Sequence, residues 1–291
     1  MSDHRSRFLV TGASGQLGRL VIAELRKSVP AAQITAMVRS NTAAAELAAL
    51  GIEVRIADYA QFDTLREAFA GTDRLLLISA SEVGQRLTQH RNAIEAAKLA
   101  DVKLLAYTSM LHADSSPLAL AVEHRQTETL LKESGAPFVA LRNGWYTEND
   151  LASVSAALAH GVLLGSSGNG RIAWAARADY AAAAAAVLTA GEHSSASVYE
   201  LAGDEAYTRS ELAAEIARQS GKPVEYRNLP EADYTAALIG AGLPVGMAGV
   251  LADSDIGASR GGLFDDSHQL SRLIGRRTTP LAESVSAALA R

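Results

Sequence analysis

The stretch Phe8-Leu9-Val10-Thr11-Gly12-Ala13-Ser14-Gly15-Gln16-Leu17-Gly18 holds the residue types and spacing that bear most directly on chemistry. A short apolar run ends in three glycines spaced G-x-x-G-x-x-G, and an amphipathic segment with Leu17, Leu20, Val21 and Leu25 on one face follows. Gly12 permits a sharp turn off a strand, Gly15 lets backbone approach a pyrophosphate, and Gly18 lets the helix sit close on the sheet. The helix start turns its unpaired amides and its dipole toward the phosphates. A glycine triplet alone is also compatible with an ordinary strand–helix turn. The second chemical signal lies about twenty residues further on, where Met37-Val38-Arg39-Ser40-Asn41 closes the next apolar run. A carboxylate at that station accepts from a ribose 2′-hydroxyl, whereas an arginine accommodates a 2′-phosphate. Arg39 has no acidic neighbour in sequence, and its planar guanidinium matches phosphate, so NADPH is the expected dinucleotide.

These signals need a scaffold, and the pattern supplies one. Apolar runs at Gln33–Val38, Glu53–Ile56, Arg74–Ser79, Val102–Tyr107 and Phe138–Leu141 alternate with helical segments at Leu17–Ser28, Ala43–Leu50, Thr64–Phe69, Leu87–Ala100 and Leu118–Ser134. The continuous Leu75-Leu76-Leu77-Ile78 run suits a strand buried on both faces. Strand–helix alternation with right-handed crossovers gives an α/β fold, a Rossmann-like doubly wound parallel sheet. After Asn143 the alternation breaks down. We expect residues 1–143 to form the NADP-binding domain. Residues 144–291 then form mixed α/β segments, mainly a smaller C-terminal substrate lobe with parts returning to the sheet. Within that lobe Gly161–Arg171 reads as a loop or hairpin, Asp179 as a helix cap, Thr208 and Glu211 as a capping box before a helix to Ser220, and Lys222–Asn228 as a strand.

Composition narrows the class. The 291 residues include no cysteine, which removes disulfides, thiolate metal sites and cysteine nucleophiles. A net charge of −5 without a long basic run disfavours nucleic-acid binding. No secretory signal fits Met1–Arg7 and no apolar run is long enough to span a bilayer, so no membrane association and a cytoplasmic location are expected. The oligomeric state is left open, a homodimer included.

Taken together, Thr11–Gly18 and Val38-Arg39 resemble the NmrA-like branch of the atypical short-chain dehydrogenases. Leu76–Arg86, Ala106–Asp114, Leu141–Tyr146, Leu251–Ser259 and Gly261–Ser267 look like the bacterial type 2 NAD(P)H:quinone oxidoreductases, over essentially the whole chain. Triphenylmethane-dye reductases look like more distant relatives. The resemblance implies NADPH-dependent reduction of quinones with neither flavin nor metal. It carries cofactor contact onto Gly12, Ala13, Ser14, Gly15, Gln16 and Leu17, onto Arg39, onto Ser79, Ala80 and Ser81, and onto Asn143, Gly144, Trp145 and Tyr146. Two alternatives stand beside it: a reductase of another flat aromatic electrophile such as a triphenylmethane dye, and a non-catalytic NADP(H)-binding redox sensor of the NmrA type, kept open because no tyrosine in this chain has a lysine four positions later, the proton-donor pair of typical short-chain dehydrogenases. A quinone relaxes that need, since the hydroquinone anion is only moderately basic and solvent can protonate it. The protein then has mainly to hold ring against ring. Asn143, which directly follows a strand, and Tyr107 are the expected substrate or nicotinamide contacts, with Ser109 and His112 as further donors. Tyr107 also reads as core or wall, and His112 and His124 as structural. Trp145, Tyr146 and Trp174 could form a flat slot for an aromatic ring. The Asp253–Asp266 stretch reads as an exposed acidic loop, either a lid or merely solvated, and its spacing fits no EF-hand.

Overall fold

The computed structural model describes residues 6–191 and 197–290. Met1–Arg5 of the stretch in which no secretory signal fits lie outside them. The elements in order are β1 (Phe8–Val10), α1 (Gln16–Leu25), β2 (Ile34–Val38), α2 (Asn41–Ala48), β3 (Glu53–Ile56), α3 (Phe62–Phe69), β4 (Arg74–Leu77), α4 (Arg86–Leu99), β5 (Leu104–Met110), α5 (Ala121–Ser134) and β6 (Phe138–Asn143). They continue as α6 (Thr147–Leu151), α7 (Val154–His160), β7 (Val162–Gly165), α8 (Arg177–Thr189), β8 (Ser197–Leu201), α9 (Arg209–Ser220), β9 (Glu225–Asn228), α10 (Glu231–Gly240), α11 (Val245–Ser259), α12 (Gln269–Ile274) and α13 (Leu281–Leu289).

A seven-stranded sheet has the order β3-β2-β1-β4-β5-β6-β8. The pairings of β1 with β2 and β4, of β2 with β3 and of β4 with β5 are parallel. The order reverses between β1 and β4, which is the topological switch point where doubly wound sheets open a crevice at the strand C-termini. Every residue of β1, β2, β5 and β6 is buried, whereas β3 at the edge is only partly covered. Burial on both faces is why these strands are mostly apolar and show no inside–outside alternation. Leu9, Leu75, Leu77, Leu105 and Tyr107 pack against Leu65 and Phe69 of α3 and against Ala93, Ile94 and Ala97 of α4.

The chain divides into two compact units that interleave rather than splitting once at residue 143. Residues 1–110, 123–142 and 180–199 form the first; residues 111–122, 143–179 and 200–291 form the second. The second unit contains its own two-stranded parallel sheet, β7 with β9. Gly161–Arg171 is therefore a strand running into a loop, and the strand expected over Lys222–Asn228 starts only at Glu225. Thr208 and Glu211 do form a reciprocal capping box at the start of α9. Asp179 does not cap its own helix. It is fully buried inside the first turn of α8, accepts from the Thr279 backbone N–H at 2.8 Å and forms an ion pair with Arg276 at 2.7 Å, tying residues 276–279 to this helix. Among the described residues no helix is long and apolar enough to cross a membrane.

Candidate functional site

The first unit holds a cleft of about 250 Å³ at the switch point. It is lined by the glycine turn (Gly12, Ser14, Gly15), the end of β2 (Met37, Val38, Arg39), Asp58 and Tyr59 after β3, and Ile78 to Glu82 after β4, with Gln89 of α4 behind. Gly12 has φ +56°, a left-handed conformation that suits glycine. Gly18 has a different role from the one expected. A Cβ there would lie 2.4 Å from the Gly12 carbonyl oxygen and 2.7 Å from Ala13 Cα, so it lets α1 press onto the glycine turn itself rather than onto the sheet. No side chain caps α1 at Gly15 and no acidic residue sits in its first turn, so neither a cap nor a carboxylate of its own first turn offsets the positive end of the helix. Ala13 and Leu17 are buried behind the turn and Gln16 is exposed; none of the three lines the cleft.

The floor and far wall are braced from beneath. Thr11 Oγ1 donates to the Leu76 carbonyl at 2.9 Å and accepts from the Ile78 N–H at 2.9 Å. The Tyr59 hydroxyl lies 2.5 Å from Thr11 Oγ1 and 2.8 Å from the Ile78 carbonyl oxygen. Burial pushes that phenol well above its ordinary pKa, so it stays protonated. The Ser79 N–H donates to Thr108 Oγ1 at 2.8 Å. Both polar backbone groups of Ala80 are held by α4: its N–H donates to His90 Nε2 at 3.0 Å, and its carbonyl accepts from Arg86 Nε at 2.8 Å. Accepting at Nε2 puts the His90 proton on Nδ1, 2.9 Å from Thr127 Oγ1. Burial first, and the Arg86 charge second, push the His90 pKa down to about 3, which keeps it neutral and able to accept. Arg86 in turn pairs with Glu123 at 3.1 Å. The Ser79–Ser81 wall is thus preorganised by buried groups.

Tyr107, expected as a contact, is a core residue. It is fully buried in β5, with its hydroxyl 2.8 Å from His124 Nδ1 and its ring edge-on to His90. Ser109 is likewise committed: it donates at 2.6 Å to Glu128, a buried carboxylate that also takes a forked pair from Arg142 at 2.9 and 2.7 Å.

Asn143 to Tyr146 belong to the second unit and do not line the cleft. Asn143, the last residue of β6, is buried; its Nδ2 donates to the Tyr146 hydroxyl at 3.2 Å, and its Oδ1 has no hydrogen-bond partner, nor has the buried indole N–H of Trp145. Arg177 stacks 4.8 Å over the Tyr146 ring. Trp174 does not complete a flat slot. It is buried, and its indole donates at 2.6 Å to Asp150, which pairs with Arg209; Arg209 pairs on its other side with Asp255. That arrangement also corrects the acidic-loop reading of Asp253–Asp266. Residues 253–259 belong to α11, and Asp255 is buried, its carboxyl pushed up by desolvation against the pull of Arg209. His112 sits between Glu200 and Asp265, each 3.6 Å away. Among the described residues no three His, Asp or Glu side chains gather as a metal-ligand set.

Sequence reasoning missed Asp58, Tyr59, Ile78, Glu82 and Gln89. Asp58, Tyr59 and Ile78 follow directly on β3 and β4, and the rule that ligands meet a doubly wound sheet at its strand C-termini marks those positions.

A family model described as NAD(P)H-binding matches residues 12–190, a span that contains every residue lining the cleft. The chain belongs to this family. Quinone oxidoreductase 2 of Escherichia coli (strain K12) is 61% identical over 277 residues, covering 95% of this chain and 96% of that protein. The crystal structure of NADPH-dependent quinone oxidoreductase QOR2 from E. coli complexed with NADPH matches with a TM-score of 0.94 at 60% identity, over 97% of this chain and 99% of that one. Triphenylmethane reductase of Citrobacter sp. complexed with NADP(H) is 37% identical with a TM-score of 0.92, over 97% of this chain and 99% of that one. With an NmrA-like family domain-containing oxidoreductase of Aspergillus flavus 30% identical over 79% of this chain and 77% of that protein, the kinship to NmrA-like proteins and type 2 quinone oxidoreductases expected from the motifs is shown.

Proposed function

We propose that the chain is an NADPH-dependent quinone reductase, and the arrangement of the cleft carries the reading. The residues present fit the dinucleotide. A left-handed glycine turn, an uncapped helix start without acidic neighbours and an arginine at the end of β2 line one cavity. In this reading Gly12, Ser14 and Gly15 hold the pyrophosphate, Arg39 takes the 2′-phosphate, and the braced Ser79–Ser81 wall supports the middle of the molecule. When bound, NADPH supplies a hydride. The quinone then needs one proton from elsewhere, and solvent is sufficient because a hydroquinone anion is only moderately basic and can form without an acid held beside it. The chain's own residues therefore have to orient and exclude rather than to relay protons, and a well-held near-attack geometry is worth up to roughly 7–11 kcal/mol. Asn143 of the second unit is the group we assign to substrate contact, since its Oδ1 is buried without a partner at the end of β6. The same reading makes a small quinone the partner, with no nucleic acid or membrane, in the cytoplasm.

The test is NADPH oxidation followed by absorbance across a panel of benzoquinones, with triphenylmethane dyes as a second panel. Quinone-dependent oxidation without added flavin or metal is the expected result. Tight NADPH binding with no oxidation by any quinone would replace the enzyme with a redox sensor.

A further inference from the structure

In sequence, Arg39 has no acidic neighbour. In space it has one. Glu82, 43 residues further along on the loop between β4 and α4, places Oε1 3.0 Å from Arg39 Nη1. Its other oxygen, Oε2, accepts from Gln89 Nε2 at 2.8 Å. Gln89 is buried, so α4 holds the carboxylate from behind while Arg39 meets it from the front. Both residues line the cleft. The side chains of Arg39 and Glu82 are 66% and 48% exposed, so their ion pair is screened and exchanges readily with a competing anion.

The two charges make opposite demands on a dinucleotide. The guanidinium favours a 2′-phosphate. A carboxylate at this station accepts from a free 2′-hydroxyl, the task usually done by an acidic residue at the end of β2, and it repels a 2′-phosphate. Building on the NADPH reading above, we propose that Glu82 is a specificity-determining residue: its carboxylate, delivered to Arg39 from the β4–α4 loop, supplies the missing 2′-hydroxyl acceptor and holds the preference for NADPH over NADH below what Arg39 alone would set. The enzyme consequently accepts both dinucleotides, with the choice set by a neighbouring loop rather than by the end of β2.

The variant Glu82→Gln tests this, because it keeps the size and a hydrogen-bonding group while removing the charge. Calorimetric titrations of the whole chain and the variant with NADPH and with NADH, at low and high salt, read the two affinities independently of turnover. We expect roughly 3–10-fold tighter NADPH, unchanged or weaker NADH, and a difference that shrinks with salt as screening does. Weaker NADPH in Glu82→Gln would show that the carboxylate serves to orient Arg39, and an unchanged ratio of the two affinities would show that it plays no part in the choice; either overturns the proposal while leaving the cofactor reading standing. A wild-type chain that binds neither dinucleotide would overturn both.

Discussion

Gly18→Ala puts the glycine turn under a defined load. The added Cβ would lie 2.4 Å from the Gly12 carbonyl oxygen and 2.7 Å from Ala13 Cα, both backbone atoms that cannot rotate away. Restoring ordinary contact at 3.4 Å requires about 1 Å of movement between α1 and the turn. Overpacking on that scale costs typically about 1–3 kcal/mol, whereas replacing a helical glycine by alanine gains up to about 1 kcal/mol. The steric term wins, and the parts that must yield are those lining the cleft. Gly249→Ala in α11 is the matched control, since nothing lies within 4 Å of its Cβ position, and there only the propensity gain remains. Urea unfolding followed by circular dichroism should show a lower midpoint for Gly18→Ala and an equal or higher one for Gly249→Ala. Dinucleotide affinity should fall only in the first. A Gly18→Ala protein as stable as wild type and with unchanged affinity would refute the argument that helix and turn are in forced contact.

Arg39→Ala should weaken NADPH by roughly 10–100-fold, the worth of a charge-assisted hydrogen bond to phosphate, and change NADH little; equal losses in titration would disprove the 2′-phosphate assignment. Arg209→Ala strands the buried carboxylates of Asp150 and Asp255, and a loss of about 3–5 kcal/mol is expected in urea unfolding, with no loss contradicting the reading. His112 has its pKa raised chiefly by its hydrogen bond to Glu200, with the Phe264 carbonyl and Asp265 assisting. A folded pKa above the unfolded value means that its stabilisation is complete below the unfolded pKa of about 6.5 and fades as pH rises through the folded one. His112→Asn, which tolerates the φ of +52° found there, should remove that slope from the pH dependence of the urea midpoint; an unchanged slope would assign it to other groups.

The parts of the site that were legible in the sequence are those whose signal is local. Gly12, Gly15 and Arg39 act through backbone freedom and strand-end position, and both can be read within a dozen residues. Glu82 and Gln89 could not be read in the same way, because they lie beyond the end of β4, on the following loop and on α4, and reach the cleft only through the parallel register of β2, β1 and β4. Tyr107 sits on a strand buried along its whole length, so no alternation told a wall residue from a core residue. Asp255 looked solvated because its counterion, Arg209, lies 46 residues away and the glycines within its helix mask the helical pattern. Trp174 looked available to an aromatic ring for the same reason: its partner, Asp150, is remote in sequence. That parts of 144–291 return to the first unit was legible, but not which part, because no break in composition marks out 180–199.

Titration of the wild-type chain with NADPH in a calorimeter reaches the central claim with least intervening inference. One equivalent bound per chain, weakening as salt is raised, is the predicted result. No measurable binding at any salt concentration would contradict it.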